Sequence, residues 1–235
     1  MCGRFTMFDE DDELVALFDI DVMEGEHLPS YNQAPSQWVR AVVGNQPRVL
    51  TMQRWGLVPH WAKAGFKPLI NARSETLTEK PSFRVAASRR RCLIPTNGYY
   101  EWMTQPDGQK QPYFLSAPVP AEADGAAIQP GPAGFPTPVL AMAGIYEFSR
   151  TERGDELVTC AVITRSAPDE LGRIHDRMPV FVPPELYTPW LDPELQDRDQ
   201  VRDLVAAIPV LPLATRPVQR AVGSVRTQDP GLIFG

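Results

Sequence analysis

Cysteine is scarce in this 235-residue chain, with three residues in all. Cys2, Cys92 and Cys160 are odd in number and far apart. They fit neither a disulfide framework nor the paired ligand spacing of a zinc site. Cys92 and Cys160 sit among apolar residues and read as buried thiols. No apolar run is long enough to span a bilayer, and the start is acidic rather than basic and then apolar. A reducing cytoplasm is the expected compartment, with no membrane partner. Positive charge is also short overall: 23 Lys and Arg against 29 Asp and Glu give a net −6, the wrong total for a nucleic-acid binder. Large apolar side chains are almost absent from Ser116 to Pro138, where Pro, Ala and Gly dominate until Phe135. That stretch reads as a flexible insertion between two strands. No internal repeat is visible.

What charge there is, however, is segregated. Residues 1–30 hold nine acidic side chains and one Arg, net −8. Residues 31–92 hold eleven basic side chains against Glu75 and Glu79, net +9. An anionic partner meets the local field rather than the total. Such a stripe is either an anion-binding surface or a solvated face without a partner.

Periodicity predicts a short amphipathic helix between Asp9 and Asp19, with acids in its first turn. Strands are predicted at Trp38–Val43, Arg48–Arg54, Cys92–Ile94, Gly98–Met103, Pro112–Leu115, Val139–Phe148 and Leu157–Thr164. Helices are predicted at 184–191, broken by Pro189, and at Arg198–Ile208. Short strands with few long helices between them give an α+β class with mainly antiparallel pairing in one domain, residues 1–235.

Four places carry chemistry. Residue 2 is the first. A small residue after the initiator permits removal of Met1, which leaves Cys2 with an amine and a thiol on adjacent carbons. Their reference pKa values, about 7.7–8.0 and 8.5, leave a reactive fraction of each near neutral pH. The amine condenses with an aldehyde, and the thiol then closes a thiazolidine ring. The alternative is an accident of a frayed start. The second place is Asn71-Ala72-Arg73-Ser74-Glu75-Thr76, which, if extended, turns Asn71 and Arg73 to one side. An amide beside a guanidinium suits a phosphate or sugar oxygen, and the same residues also read as a strand end with an Asn turn.

The third is Gly98-Tyr99-Tyr100-Glu101-Trp102, a carboxylate within an aromatic strand. Alternation puts Glu101 with Tyr99 and, on the other face, Tyr100 with Trp102. Desolvation would raise the Glu101 pKa toward the range useful for proton transfer, unless the strand is an edge with Glu101 in solvent. The fourth is His175-Asp176-Arg177-Met178-Pro179, a loop histidine that reads as a general acid or base or as a plain surface residue.

Taken together and in order, these motifs closely resemble the SRAP family. Met1-Cys2-Gly3-Arg4-Phe5 is followed by Tyr31-Asn32-Gln33-Ala34-Pro35 and by Trp55-Gly56-Leu57-Val58-Pro59 with Trp61. Then come the Asn71 segment, Arg91-Cys92-Leu93-Ile94-Pro95, the Glu101 strand, Ala143-Gly144-Ile145-Tyr146 and the His175 motif. The resemblance runs from residue 2 to about Val225. It implies a single SRAP domain with twisted, mainly antiparallel sheet forming a barrel-like core, flanked by short helices. It further implies binding to single-stranded DNA and a covalent crosslink to abasic sites, by a monomer, without cofactor or metal, at the nucleoid when on DNA.

By the same resemblance Cys2, Asn71, Glu101 and His175 are the catalytic set. Arg4, Asn32, Pro35, Trp61, Arg73, Phe83 and Arg84 are the expected DNA-binding residues. Some relatives have two adjacent Trp where this chain has Trp61-Ala62, and Ala221-Val222-Gly223-Ser224-Val225 fits only loosely. Self-removal of Met1 and a lyase-like activity go with the family's peptidase label. The competing class is hydrolysis by an N-terminal-cysteine amidohydrolase or peptidase, which shares only the Met-Cys-Gly start. A third is a DNA-binding module without chemistry.

Overall fold

The computed structural model describes residues 2–26, 28–118, 138–151 and 154–234. Most of the expected insertion, 119–137, lies outside the described residues. In chain order the elements begin β1 (Phe5–Met7), α1 (Asp11–Phe18), β2 (Val22–Met23), β3 (Ser30–Gln33), β4 (Trp38–Val43) and β5 (Val49–Trp55). They continue β6 (Asn71–Arg73), α2 (Arg84–Arg89), β7 (Arg91–Thr96), β8 (Gly98–Thr104), β9 (Lys110–Ser116) and β10 (Leu140–Arg150). The last are β11 (Glu156–Ser166), α3 (Asp169–Gly172), β12 (Arg177–Pro179), α4 (Tyr187–Leu191), α5 (Arg198–Ala207) and β13 (Ala214–Pro217).

The α+β class is therefore as expected, and the core is a closed barrel. β5, β4, β7, β10 and β11 pair antiparallel in that order. β11 then returns to β5 in parallel, Thr159 beside Arg54 and Cys160 beside Trp55, so no edge remains. Small residues allow the strands to close. A Cβ on Gly144 would stand 2.7 Å from the Cys92 sulfur. A second sheet, in the order β13-β9-β8-β1-β3, is antiparallel throughout. Phe5 packs on Trp55 with ring centroids 4.9 Å apart and joins the two sheets.

Trp55 and Trp190 are fully buried, and each indole N–H is satisfied, by the carbonyls of Ile70 and Cys92 (both 2.9 Å). Replacing either by Ala costs about 3–5 kcal/mol at such a site.

Three expectations need correction. Pro189 does not break its helix: a 3-10 turn at Pro184–Leu186 leads into α4, where Pro189 occupies the first turn. An amide there has no intrahelical partner, so its loss is harmless. The basic stripe is not a continuous face. Arg40 is buried against Asp11 of α1, and Arg48 donates to the Phe18 carbonyl (2.7 Å). Arg91 is buried too, donating to the carbonyls of Ala87, Ser88, Trp190 and Asp192. Burial lowers its pKa to about 10. The acidic N-terminal segment thus neutralises part of the stripe in space. Arg54, Lys63, Lys67, Arg73, Lys80, Arg84 and Arg89 remain exposed. Finally Phe83, expected at DNA, is a core residue with 5% of its surface exposed. It immediately precedes α2, whose inner face is Ala86 and Ala87.

Candidate functional site

Four strands bring the site together. In the second sheet β1 pairs with β8, Phe5 opposite Tyr99, and the Tyr100 amide donates to the Arg4 carbonyl (2.9 Å). The same register carried outward sets the chain at Cys2 and Gly3 alongside Glu101. From the barrel, β6 lies parallel to β11 with Asn71 beside Val162. The Asn71 amide donates to the Cys2 carbonyl at 2.8 Å. Asn71 and Arg73 face the same side, with Ala72 buried between them, as alternation requires.

Asn71 is held from behind. The loop before it is closed by two backbone hydrogen bonds between Leu57 and Leu69, 2.9 and 3.0 Å. Trp61 rides on that loop, half exposed, edge-on to Phe66 at 5.9 Å.

β8 shows the two faces expected of it. Tyr99 points into the main core beside Cys2, whereas Tyr100 joins a second apolar cluster with Phe8, Tyr31 and Phe114. Glu101 is 4% exposed on a strand flanked by β1 and β9, which excludes the edge-strand reading. Burial pushes its carboxyl above the ordinary range; His175 pulls it back and Asp176 adds to the rise. Cys2 is fully buried, and burial, with the Glu101 charge next, pushes its thiol far up; a backbone N–H of Arg4 opposes this. The thiol is therefore protonated at rest, and it needs an acceptor before it reacts.

His175 follows α3 and is partly exposed. Its Nδ1 lies 3.0 Å from the Arg177 amide nitrogen. Asp176 Oδ1 stands 2.9 Å from the same Nδ1.

Two residues that sequence reasoning did not single out fix this arrangement. Arg177, in β12, donates to both carboxylate oxygens of Glu75 at 2.6 and 2.8 Å and to the Thr164 carbonyl at 2.6 Å. β12 and β6 flank β11, so this pair brackets it and locks the His175 segment to the Asn71 segment. Arg177 holds the Glu75 carboxyl down to about 2. The signal was present, because both lie inside the quoted motifs with opposite charge.

The expected DNA-binding residues fare unevenly. Trp61, Arg73 and Arg84 are exposed, and Pro35 is half-buried in the turn where Ser36 takes φ 73°. Arg4 donates to Asn32 Oδ1 (2.8 Å) and the Val222 carbonyl (2.6 Å), with its guanidinium 5.8 Å from the Trp102 ring centre. Asn32 is fully buried, and its amide donates to the carbonyls of Val222, Ser224 and Thr227. With every amide hydrogen engaged, it clamps the C-terminal segment to β3 rather than facing a ligand. Gln228 completes the clamp, accepting from Ser30 and Tyr31.

The Asn71 amide and the buried Glu101 carboxyl thus converge on Cys2. The chain belongs to the SRAP family, SOS response associated peptidase, whose model matches residues 1–225. It is 38% identical over 240 residues to the abasic site processing protein YoqW of Bacillus subtilis, covering 99% of each. It is 30% identical over 241 residues to the abasic site processing protein YedK of Escherichia coli, again 99% of each. A solved structure from Bacteroides thetaiotaomicron shares the fold, with a TM-score of 0.75 at 22% identity over 99% of each chain. Among the described residues no helix is long and apolar enough to cross a membrane.

Proposed function

We propose that this protein processes abasic sites in single-stranded DNA by covalent capture at Cys2, acting as one domain and as a monomer. The observation that carries the reading is the convergence on Cys2: the Asn71 amide 2.8 Å from its carbonyl, and the buried Glu101 beside its thiol. The family relatives described as abasic site processing proteins support it.

Removal of Met1 frees the Cys2 amine. The amine adds to C1′ of the ring-opened deoxyribose aldehyde, giving a carbinolamine. Loss of water leaves an imine, and the thiol adds to the imine carbon. The thiol proton passes to the imine nitrogen, closing the thiazolidine with one water released overall. Glu101 supplies the proton for ring opening and dehydration, and its carboxylate form takes the thiol proton. A carboxyl raised by burial suits this double duty near neutral pH. His175 assists ring opening or holds a phosphate. Asn71 orients the chain at Cys2, and Arg73 holds the backbone.

Self-cleavage of Met1 would use the same set: water adds to the carbonyl of the Met1–Cys2 peptide bond, and Glu101 passes a proton to the Cys2 nitrogen as the C–N bond breaks, releasing methionine. A lyase step would arise where the imine persists and β-elimination competes with ring closure. The test is incubation of the protein with abasic and intact single strands. A heat-stable adduct on the abasic strand alone supports the reading; hydrolysis of an amide without an adduct, or binding without an adduct, removes it.

A further inference from the structure

Outside the Cys2 site, three depressions run in series along the outer wall of the barrel. A shallow one of about 390 Å³ is lined by Trp61 and by Lys63 to Phe66. The second, about 510 Å³, shares Lys63 to Phe66 and adds Arg54, Arg150 and Leu157. The third, about 470 Å³, shares Val58, Ala62 and Arg150 with the second and ends on Phe148 and Glu156. Neighbouring depressions share their walls, so the three form one track that starts at the exposed Trp61.

The track's far end is unusual for a barrel wall. Tyr146, Phe148 and Arg150 alternate onto the same outward face of β10. Phe148 is 58% exposed, and Tyr146 meets it edge-on at 5.7 Å, so the ring is held in place while its surroundings stay open. Arg54, Lys63 and Arg150 are all exposed along the same path. Among the described residues the opposing acids are three, the first being the exposed Asp155, whose carboxylate accepts from the Thr151 hydroxyl of the second depression at 3.3 Å. Glu156 lies across the ladder from Arg150, and Glu147 is buried, engaged by Arg90 at 2.8 Å with His60 at 3.4 Å. Flat apolar rings interleaved with cations match a polymer of bases and phosphates.

We infer that this track carries the unpaired strand away from the lesion, past Trp61, with bases stacking on Phe148 and phosphates meeting Arg54, Lys63 and Arg150. The inference rests on the proposed reading of the Cys2 site. It also explains why the Trp61 loop ends directly at Asn71: strand path and chemistry are set by one segment.

The experiment compares Phe148→Ala and Arg150→Ala with the parent protein. Binding is measured on a long intact single strand, and crosslinking on a short abasic oligonucleotide that covers only the lesion and its nearest neighbours. Phe148→Ala should weaken binding of the long strand about 5-fold or more, the loss of one stacked base. Arg150→Ala should flatten the log–log salt dependence by about 0.7. Crosslinking of the short substrate should stay at the parent rate in both. Unchanged affinity and salt slope for the long strand would overturn the track. So would a changed sedimentation of Phe148→Ala with DNA affinity intact, which would make this a self-association face. Failure of the Cys2 reading looks different, because the parent protein itself would then form no adduct with either length.

Discussion

Replacing Arg177 by Met should loosen the site from behind without touching a reacting atom. The side chain is 9% exposed and donates to Glu75 twice, to the Thr164 carbonyl and, at 3.3 Å, to Ser166. Breaking a buried ion pair typically costs about 3–5 kcal/mol. Here Glu75 is half exposed and regains water, which puts the loss near the low end, about 3 kcal/mol. In a chain of this size that lowers Tm by about 6–12 °C. Glu75→Gln keeps a neutral hydrogen bond and should lose about 1 kcal/mol.

The pH dependence follows from Glu75, whose carboxyl is held down to about 2 in the fold. A depressed carboxyl stabilises the native state above its unfolded pKa, and that stabilisation disappears as pH falls through the folded value. The gap in stability between parent and Glu75→Gln should therefore be full at neutral pH and shrink as pH drops below about 4.3. Thermal unfolding across this range, beside single-turnover crosslinking, reads both effects. An Arg177→Met protein with parental Tm, or a Glu75→Gln gap independent of pH, would refute the bracket.

Glu101→Gln should slow crosslinking and its reversal, on the order of 10²–10⁴ for a positioned acid or base, with single-strand affinity unchanged. Because burial raises the Glu101 pKa, its proton is lost only at higher pH. The alkaline fall in parental rate should vanish in the Gln variant when pH–rate profiles are compared. Cys2→Ser should yield a reversible imine, trapped by borohydride and lost on heating without it. Asn32→Ala orphans Arg4 and three carbonyls and should cost about 3 kcal/mol, seen as faster proteolysis near residues 222–228. Phe83→Ala should cost about 3–5 kcal/mol in denaturant unfolding as a core truncation, with DNA affinity unchanged in the folded fraction.

The long barrel strands were legible because apolar alternation sets both their existence and their faces. β4 matches its expected bounds, and β8 shows the two faces that placed Glu101 beside Tyr99. The short strands β1, β3, β6 and β12 carry no such signal, since three or four residues hold at most two full periods. Yet these strands deliver Cys2, Asn32, Asn71 and the His175 segment, so the site had to come from motif resemblance. Charge misled where the partner was distant in sequence: Arg40 finds Asp11, 29 residues away, and leaves the surface. Phe83 and Asn32 misled for a related reason. Sequence gives the residue type, whereas packing decides whether a ring or an amide faces inward.

The most direct test of the account is the mass and chemistry of the adduct. The protein is incubated with an abasic single strand, heated without reductant, and digested for mass spectrometry. The account predicts one crosslinked peptide beginning at Cys2, with Met1 gone and a mass equal to peptide plus abasic nucleotide less one water. Neither iodoacetamide nor borohydride should modify the linkage. An adduct on a lysine, or a linkage at Cys2 that borohydride reduces, or one formed while Met1 is retained, would contradict it.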